Sequence, residues 1–599
     1  RNQYDRNGNP IDTTAVVDAN TIPIGLYSWK VDSRFGNVTY IPVDTLQHAF
    51  QNSNDMGGYT GQYNYLGNLG SPRLSRIFFD RRDPSQYFFT DPYDFCVQRP
   101  EDVIFTNTFS PFTNLSYYKG GGSRDGEERF KSYFAINANK RLGFGFYIDY
   151  LYGRGLYQDQ STAFFNGGLF SSYRGDKYDM HFIFNNDNLK MAENGGITDD
   201  RYITNPLDMA EGKKEYSANE IPTRLSQIWN HNTSYHAFLT HRYNLGFYKE
   251  KQDSVDTDSV KITQVFVPVT SFIHTLQVDL NNRKYISYDD AQNQKYFEHN
   301  YLGTDSIDKT KRTSIKNTIG IALQEGFNKW AKAGLTAFLS YEYRNFALTD
   351  TTNIPGQRII NNYKESSLSI GGELSKKQGK LLHYNILGEL AIAGEDAGQF
   401  SVEGRGDLNL RLFGDTVRLD VNAFIKNQNP VFYFRHFQSK HYWWDNNDLS
   451  KIMRTRLEGK LSLNRWGTQL RAGVENIKNY TYLANASIPV KDSEGNVTGF
   501  KNNAAVRQHS GNIQIFTAML QQKLKVGIFH LDGEVAYQKS SEQDILPLPE
   551  LSAYGNLYMK FGLAKKVLQI EMGADVRYFS KYYAPDYSPV IGQFYNQNP

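Results

Sequence analysis

The stretch EGRGDLNLRLFGDTVRLDVNAFIK, residues 403–426, returns to an apolar residue at nearly every second position on both sides of FGDT. Successive side chains of a β-strand point to opposite faces, so a period of two predicts strands. FGDT supplies turn chemistry between the two runs, and the stretch is therefore predicted to be a β-hairpin. Its apolar face could meet a protein core in a soluble sheet, or lipid in a transmembrane barrel.

The same alternation recurs along the chain, for example in RLGFGFYIDYLYG (141–153). Many runs have about 10–14 residues, which is the length that a tilted strand needs to cross a bilayer. Strands of soluble proteins are shorter, at about 5–6 residues. The pattern predicts an all-β fold, namely a large single-chain antiparallel barrel of about 18–22 strands. The number is given as a range because a sequence pattern alone defines strand ends poorly.

The connections between the runs alternate in length. Short turns lie near residues 140, 174, 327, 378, 414, 466, 525 and 565. Long polar connections cover roughly 191–232, 289–312, 349–365, 428–450 and 482–509. Outer-membrane barrels sort their connections in this way, with short periplasmic turns and long extracellular loops. The alternation favours the membrane barrel over a soluble sandwich.

Composition agrees with a barrel and excludes some other classes. No apolar run approaches the roughly 18 residues of a membrane-spanning helix. The mean hydropathy of −0.58 fits a barrel, because half of each strand faces water. The 42 Tyr and 39 Phe suit membrane interfaces, and we expect an outer aromatic girdle from the tyrosines near run ends. These are Tyr341, Tyr343, Tyr480, Tyr482, Tyr582 and Tyr583.

The pattern divides the chain into two parts. Residues 1–104 are irregular, apart from a predicted small hairpin around Gly25–Val43, and are expected to lie in the periplasm or the lumen. Residues 105–599 are expected to form the barrel. The last predicted strand, 567–582, would run outward, whereas bacterial barrels usually have an even strand count. We therefore expect closing strands beyond Pro599 and a cleaved export signal before Arg1.

The polar and apolar phases of the strands predict two sets of residues. Those expected to face the lumen are Glu403, Arg405, Asp407, Arg411, Arg418, Asp420, Arg454, Arg456, Glu458, Lys460, Arg471 and Glu475. Those expected to face lipid are Leu408, Leu410, Leu412, Leu419, Val421, Ile386, Leu390, Phe144 and Phe146. Rings of charge tune ion selectivity in pores. The alternative is that opposite charges on neighbouring strands pair across the ladder.

Other motifs have structural interpretations. Arg174-Gly175-Asp176 falls in a predicted periplasmic turn, and DSVDTDS (253–259) lacks the glycine and distal glutamate of a calcium loop. HYWWDNND (441–448) could stack on sugars, but interface anchoring or loop packing is the favoured explanation of its tryptophans. His236 and His241 are predicted to face opposite sides of a strand. We expect no metal, no cofactor and no catalytic site.

Four segments carry a resemblance to a known family. GNLGSPRLSRIFF (67–79), FTNLSYYKGGG (112–122), LGFGFYIDYLYGRGLY (142–157) and ENGGITDD (193–200) resemble the "putative porins" of Bacteroidota outer membranes. The resemblance covers most of the chain and implies a large single-chain barrel in the bacterial outer membrane. Members of that family typically continue to an aromatic C-terminus.

Two functions follow from these expectations. The first is a porin or channel that passes small polar solutes by passive diffusion through a charge-lined lumen. The second is an occluded barrel that acts as a scaffold subunit in an outer-membrane protein export or assembly complex. The expected partners are outer-membrane lipid and lipopolysaccharide, with other outer-membrane proteins or surface lipoproteins as further candidates. The net charge of +3 gives no reason to expect a nucleic acid.

Overall fold

A computed structural model of the chain describes residues 25–43, 56–209, 217–256, 259–288, 290–354, 357–412 and 414–597, and two paired dipeptides, Gln3–Tyr4 and Pro10–Ile11. Nineteen strands form one antiparallel sheet, in which neighbours along the chain are neighbours in space. The strand order is cyclic, as in a barrel. The predicted fold class and strand number are confirmed. Among the described residues, no helix has the length and apolarity to span a membrane.

The strands have between 9 and 29 residues. They are β1 Phe112–Gly120, β2 Glu127–Asn137, β3 Leu142–Arg154, β4 Ser161–Arg174, β5 Tyr178–Glu193, β6 Ile228–Asp256, β7 Ser259–Ser287, β8 Ile307–Leu323, β9 Gly334–Thr351, β10 Arg358–Lys376, β11 Leu382–Gly394, β12 Phe400–Leu412, β13 Asp415–Gln428, β14 Ile452–Leu463, β15 Thr468–Asn485, β16 Ala504–Val526, β17 Phe529–Ser540, β18 Leu551–Leu563 and β19 Leu568–Phe579.

The hairpin predicted at 403–426 is β12 and β13. Asp407 lies opposite Asp420, and Leu408 lies opposite Leu419, so charged and apolar residues form separate rows. This separation follows from the period of two, because residues of equal phase on paired strands share a face.

The odd number of strands affects the seam of the barrel. Because consecutive strands alternate in direction, β1 and β19 run in the same direction, and an antiparallel ladder cannot continue between them. Nearly every side chain of β19 is exposed, on both of its faces.

The connections define two ends of the barrel. The short-turn end carries turns such as 138–141, 175–177 and 464–467, and the long-loop end carries 194–227, 288–306, 429–451 and 486–503. The loop predicted at 349–365 is wrong, because most of it belongs to β9 and β10, whose ladder extends to the pair Thr351 and Arg358.

Small elements occupy the connections and the N-terminal part. The helices are Arg201–Thr204, Pro206–Met209, Asp290–Tyr296 and Phe432–Arg435, and the 3-10 turns are Phe78–Asp80, Phe88–Tyr93, Pro100–Asp102, Ala218–Glu220 and Asn464–Trp466. The paired short strands are Tyr63–Tyr65 with Arg73–Ser75, His436–Gln438 with Trp443–Asp445, Ile488–Lys491 with Val497–Lys501, and Asp586–Ser588 with Gln593–Tyr595.

The N-terminal part forms a second sheet of three short strands. Tyr27–Val31 pairs with Val38–Ile41 on one side and with Phe105–Asn107 on the other. The hairpin expected around Gly25–Val43 is therefore present. The barrel begins at Phe112 rather than at residue 105, because residues 105–107 complete this small sheet.

Residues 25–43 and 56–111, which we call the internal segment, contact strands around the barrel. Trp29 Nε1 donates a hydrogen bond to His181 Nε2 of β5 at 3.0 Å. The rings of Phe35 and Phe338, on β9, are 5.3 Å apart. Phe78 N–H donates to Gln538 Oε1 of β17 at 3.2 Å. A single segment can touch strands on opposite sides of a cyclic sheet only from within it.

The internal segment packs closely because the wall presents small residues to it. A Cβ added to Gly153 of β3 would lie 2.4 Å from the carbonyl oxygen of Leu69. Only glycine allows the two backbones this approach. On the opposite face of the same strand, Phe144 is 47 % exposed.

Residues beyond β19 also turn inward. Tyr587, Val590, Ile591 and Tyr595 are buried. Arg283 of β7 donates to the carbonyl oxygen of Val590 at 2.7 Å, and Gln593 donates to that of Phe88 at 2.6 Å. The C-terminal stretch therefore joins the internal segment inside the long-loop end.

Candidate functional site: the charged lumen

The charges predicted to line the lumen share the face of the sheet that the internal segment contacts. Arg456 donates to the carbonyl oxygen of Phe79 at 3.2 Å, and Arg471 forms an ion pair with Asp80 at 2.5 Å. The register of β12, β13 and β14 puts Arg405 in one row with Asn422 and Glu458, so β12 presents its charges to the same interior. The rest of the predicted set lies in the same phase, namely Glu403, Asp407, Arg411, Arg418, Asp420, Arg454, Lys460 and Glu475.

Burial of these charges changes along the barrel. Arg456 and Glu475, beside the internal segment, are buried. Towards the short-turn end, Arg405, Arg411 and Arg418 are exposed to solvent. The internal segment therefore leaves the short-turn half of β12 and β13 uncovered, and this part of the lumen is a vestibule lined with charge.

Most of the charges are paired. Glu475 binds Arg454 and Arg456 at 2.7 and 2.6 Å. Arg471 binds Glu458 at 3.0 Å. Nearer the short turns, Asp420 binds Arg418 at 2.8 Å and Lys460 at 3.6 Å, and Arg418 lies 3.7 Å from Asp407. Within the described part of the chain, Arg405 and Arg411 form no ion pair and are the free positive charges of the vestibule.

Asp83 is the electrostatic anchor of the internal segment. Its carboxylate binds Arg454 of β14, and it lies 3.2 Å from Lys426 Nζ of β13. Burial by itself would raise the pKa of Asp83, but the two cations outweigh it and lower that pKa to about 2. Lys426 also binds Glu403 at 3.0 Å, so the anchor continues into the wall charges.

Aromatic side chains close the long-loop end. The ring of Phe432 stacks on Phe346 of β9 at 3.9 Å, and Tyr433 lies 5.2 Å from Phe88 and 4.6 Å from Phe89. We call this buried cluster the aromatic cap. Its members are Tyr87, Phe88, Phe89, Leu225, Ile228, Tyr285, Phe297, Phe346, Leu348, Val431, Phe432, Tyr433, Phe434, Phe437, Tyr442, Trp444, Leu483, Ala504, Val590, Ile591 and Tyr595.

The two tryptophans of HYWWDNND have different surroundings. Trp444 is buried in the aromatic cap, with its indole N–H donating to the carbonyl oxygen of Tyr433 at 2.9 Å. Trp443 is partly exposed beside Tyr301, with ring centres 5.5 Å apart. For Trp444 the structure shows loop packing rather than an exposed stacking platform.

Three tyrosines assigned to the outer girdle face inward, and that prediction is wrong for them. Asn479 has a φ of 59°, and the ladder of β15 shifts register between Lys478 and Tyr480. This bulge moves Tyr480 and Tyr482 to the lumen side, where both line a cavity. Tyr582, just after β19, accepts a hydrogen bond from Asn64 of the internal segment.

Internal cavities remain between the internal segment and the wall. One has a volume of about 310 Å³ and lies beneath the aromatic cap, with Phe88, Phe434 and Tyr595 in its lining. A second, of about 300 Å³, lies between Arg99 and the His236 region of β6. A third, of about 220 Å³, lies at the short-turn end near Asn37.

The apolar phase lies on the opposite face of the sheet. Of the residues predicted to face lipid, Phe144, Ile386, Leu390, Leu410, Leu412 and Val421 are exposed, and Phe146, Leu408 and Leu419 are partly exposed. A continuous exposed apolar surface on a sheet is unusual for a soluble protein.

The remaining sequence candidates form no site. His236 binds Asp279 at 2.8 Å, while His241 faces the other way and contacts His274 at 2.9 Å. Arg174 of the Arg-Gly-Asp turn packs over the ring of Trp29, 4.9 Å from its centre. Across the described residues no group of three or more metal-ligating side chains occurs. The side chains of DSVDTDS lie outside the described residues.

Sequence reasoning missed the aromatic cap and the extent of the internal segment. The stretch SPRLSRIFFDRRDPSQYFFTDPYDF (71–95) has aromatic and charged residues without a period, so pattern analysis assigns it no element. The one available signal was this density of aromatic residues in an irregular segment, because such residues usually find a core.

Comparisons with known proteins agree with this architecture. Three solved structures are similar over most of their length. The siderophore receptor PirA from Acinetobacter baumannii has a TM-score of 0.51 and 10 % identity, and the match covers 82 % of this chain and 73 % of that one. A mutant of the ferric enterobactin receptor PfeA from Pseudomonas aeruginosa has a TM-score of 0.50 and 11 % identity, with 84 % of this chain and 72 % of that one covered, and the copper transporter OprC has a TM-score of 0.50 and 9 % identity, with 84 % and 81 % covered. At these identities the likeness shows the fold alone. No curated protein matches the chain. The family model described as "Putative porin" matches residues 25–599, and the chain belongs to that family.

Proposed function

We propose that this protein is an outer-membrane transport barrel that passes small polar solutes through its charged lumen, and that the aromatic cap gates this passage. The observation that carries the proposal is the vestibule, where Arg405, Arg411 and Arg418 stand exposed to solvent on the inner wall. Charged rings in a wet lumen select and conduct solutes. The exposed apolar face outside supports insertion in a bilayer.

The aromatic cap argues for gating rather than for an open pore. Phe432 and Tyr433 are both 0 % exposed, and they join the loop between β13 and β14 to the wall and to the internal segment. Their contacts lie across the route from the vestibule to the long-loop end. The proposal therefore requires the cap to move before a solute passes.

The same closure favours a second candidate, an occluded barrel that serves as a scaffold in an outer-membrane export or assembly complex. In that case the lumen carries no flux, and the long loops hold the partners. The two candidates differ in one measurable property, which is conductance once the cap is loosened.

Planar-bilayer conductance of the wild type and of Phe432→Ala tests the proposal. Removing the ring leaves a cavity in the cap and breaks its stacking on Phe346. We expect the variant to conduct more often or at a higher level than the wild type. Trp443→Ala is the matched control, because Trp443 belongs to the same loop and is partly exposed, and we expect it to behave as the wild type does.

Heat-modifiable migration on gels shows that each variant has folded. If folded Phe432→Ala and wild type both leave the bilayer sealed, transport is contradicted and the scaffold is favoured. If Trp443→Ala opens the barrel as much as Phe432→Ala does, the cap is not the gate.

A further inference from the structure

The cavity beneath the aromatic cap, of about 310 Å³, combines an apolar lining with an excess of positive charge. Its volume is within the range of small-molecule sites. Its walls come from the internal segment, the loop between β13 and β14, β15 and the C-terminal stretch. Five arginines and four aspartates line it, namely Arg73, Arg81, Arg82, Arg99, Arg454, Asp80, Asp83, Asp91 and Asp94.

Four of the five arginines already have a carboxylate partner. The pairs are Arg73 with Asp94 at 2.6 Å, Arg82 with Asp102 at 3.2 Å, Arg99 with Asp91 at 3.5 Å, and Arg454 with Asp83. Arg81 differs. Its Nε donates to the carbonyl oxygen of Ser75 at 2.8 Å, and its guanidinium lies 5.7 Å from the ring centre of Phe78. Among the described residues, no carboxylate lies within ion-pair distance of it.

The Arg81 side chain is partly buried, and a guanidinium in such surroundings is disfavoured when it has no counter-ion. Burial lowers the pKa of Arg81, and the nearby Tyr480 and Tyr582 offset only part of that effect. An anion that entered the cavity would supply the missing partner, because the guanidinium fork matches a carboxylate in geometry and charge.

Aromatic rings beside Arg81 provide room for an apolar body. The bulge at Asn479 puts Tyr480 and Tyr482 in the lining, with their rings stacked 5.7 Å apart. Phe78 and Phe434 lie in the same lining. Bulges commonly re-aim side chains beside functional sites, and here the bulge converts an outward phase into an inward one.

We propose that this cavity binds a small organic anion, with its carboxylate on the Arg81 guanidinium and its apolar, preferably aromatic, body against Tyr480 and Tyr482. The inference rests on the proposed function in one respect, since it names the class of solute that the barrel would hold below the cap. Arg81 has the role of an anion receptor, and the two tyrosines have the role of a flat wall.

Binding of 1-naphthoate and of its neutral amide, 1-naphthamide, to the full chain in detergent tests the proposal by titration calorimetry, with protein-free micelles as the blank. A hydrogen-bonded charge contact corresponds to a loss of about tenfold or more in affinity when it is removed. We therefore expect naphthoate to bind the wild type at least about tenfold more tightly than naphthamide does, and Arg81→Gln to lose this preference.

Arg82→Gln is the matched control, because Arg82 lines the same cavity but has Asp102 as its partner. It should keep the preference for the anion, and Arg81→Lys should keep part of it and show that the site still folds. Three results would each overturn the inference. The first is that naphthoate fails to bind the wild type, the second is that it binds Arg81→Gln as tightly as it binds the wild type, and the third is that the wild type binds naphthoate no more tightly than naphthamide.

The outcomes separate this inference from the transport proposal. Naphthoate binding that depends on Arg81, in a protein that never conducts, upholds the anion site and contradicts transport. Conductance without such binding upholds transport and contradicts the anion site.

Discussion

At the scale of single residues, Asp83 decides how firmly the internal segment is held. It belongs to the internal segment, and its partners Arg454 and Lys426 belong to different strands. The carboxylate is 40 % exposed, so solvent screens part of the attraction. Asp83 therefore links the internal segment to two strands of the barrel wall by ion pairs.

Replacing Asp83 with asparagine should lower the free energy of unfolding by about 1 kcal/mol at pH 7. The pKa of Asp83 in the folded protein, about 2, is below the ordinary value for aspartate. Its stabilising contribution is therefore present at neutral pH and is lost as the pH falls below about 4 and through about 2. The difference between wild type and variant, measured by thermal unfolding at pH 7, 4 and 2, should shrink accordingly.

Asp102→Asn is the control for that measurement, because Asp102 forms one ion pair, with Arg82 of the same internal segment, and none with the wall among the described residues. We expect the control to change stability by less than Asp83→Asn does. A difference for Asp83→Asn that stays constant down to pH 2 would contradict the ionic anchor.

At the scale of the element, each strand separates two environments. In β11, Ile386 is 45 % exposed on the outer face, and Asn385 lies in the inner row with Arg405. Ile386→Lys should destabilise the barrel in a bilayer by about 2–4 kcal/mol if the residue lies near the midplane, because lysine is costly on the lipid face. Asn385→Lys should be tolerated. Folding titrations into lipid vesicles would measure both, and equal costs would contradict the assignment of faces.

Elements were predictable where period and register agree. The hairpin of β12 and β13 follows from its alternation, because one slip would move Leu408 and Asp407 to the wrong faces. The alternation fails at β15, where Asn479 lies opposite two residues of β16, and this bulge reverses the phase of Tyr480 and Tyr482. The alternation does not predict this bulge, because it depends on the pairing of β15 with β16 and on the positive φ of Asn479, and neither can be read from the period. The packing of the internal segment could not be predicted for another reason, because contacts such as Phe88 with Tyr433 join residues far apart in the sequence.

At the scale of the whole molecule, the pairing of charges decides which sign of charge the vestibule wall presents to solvent. The lumen charges could be predicted as a set, because they share one phase. Which of them remain free could not, since the internal segment supplies partners such as Asp80 and Asp83 from outside the strands. On the inner face of β12 and β13, the two charges that form no ion pair with any described residue, Arg405 and Arg411, are both positive.

This excess predicts anion selectivity. In a salt gradient across a planar bilayer, the reversal potential of the Phe432→Ala protein should indicate preference for chloride over potassium. Arg405→Glu should shift the preference towards the cation, because it reverses a charge on the wall of the vestibule. Lys491→Glu, in the hairpin at the long-loop end, changes net charge by the same amount and should shift it less. Equal shifts would show that net charge alone sets the selectivity.

The composition of the aromatic cap has a consequence for how the protein assembles. The cap joins Phe88, Phe432 and Ile591, so its parts come from early, middle and late stretches of the chain. Contacts of such long range form late in folding, because the chain between them must first be ordered. We therefore expect the aromatic cap to form after the strands of the barrel have paired. Until the cap forms, water can pass through the long-loop end of the barrel.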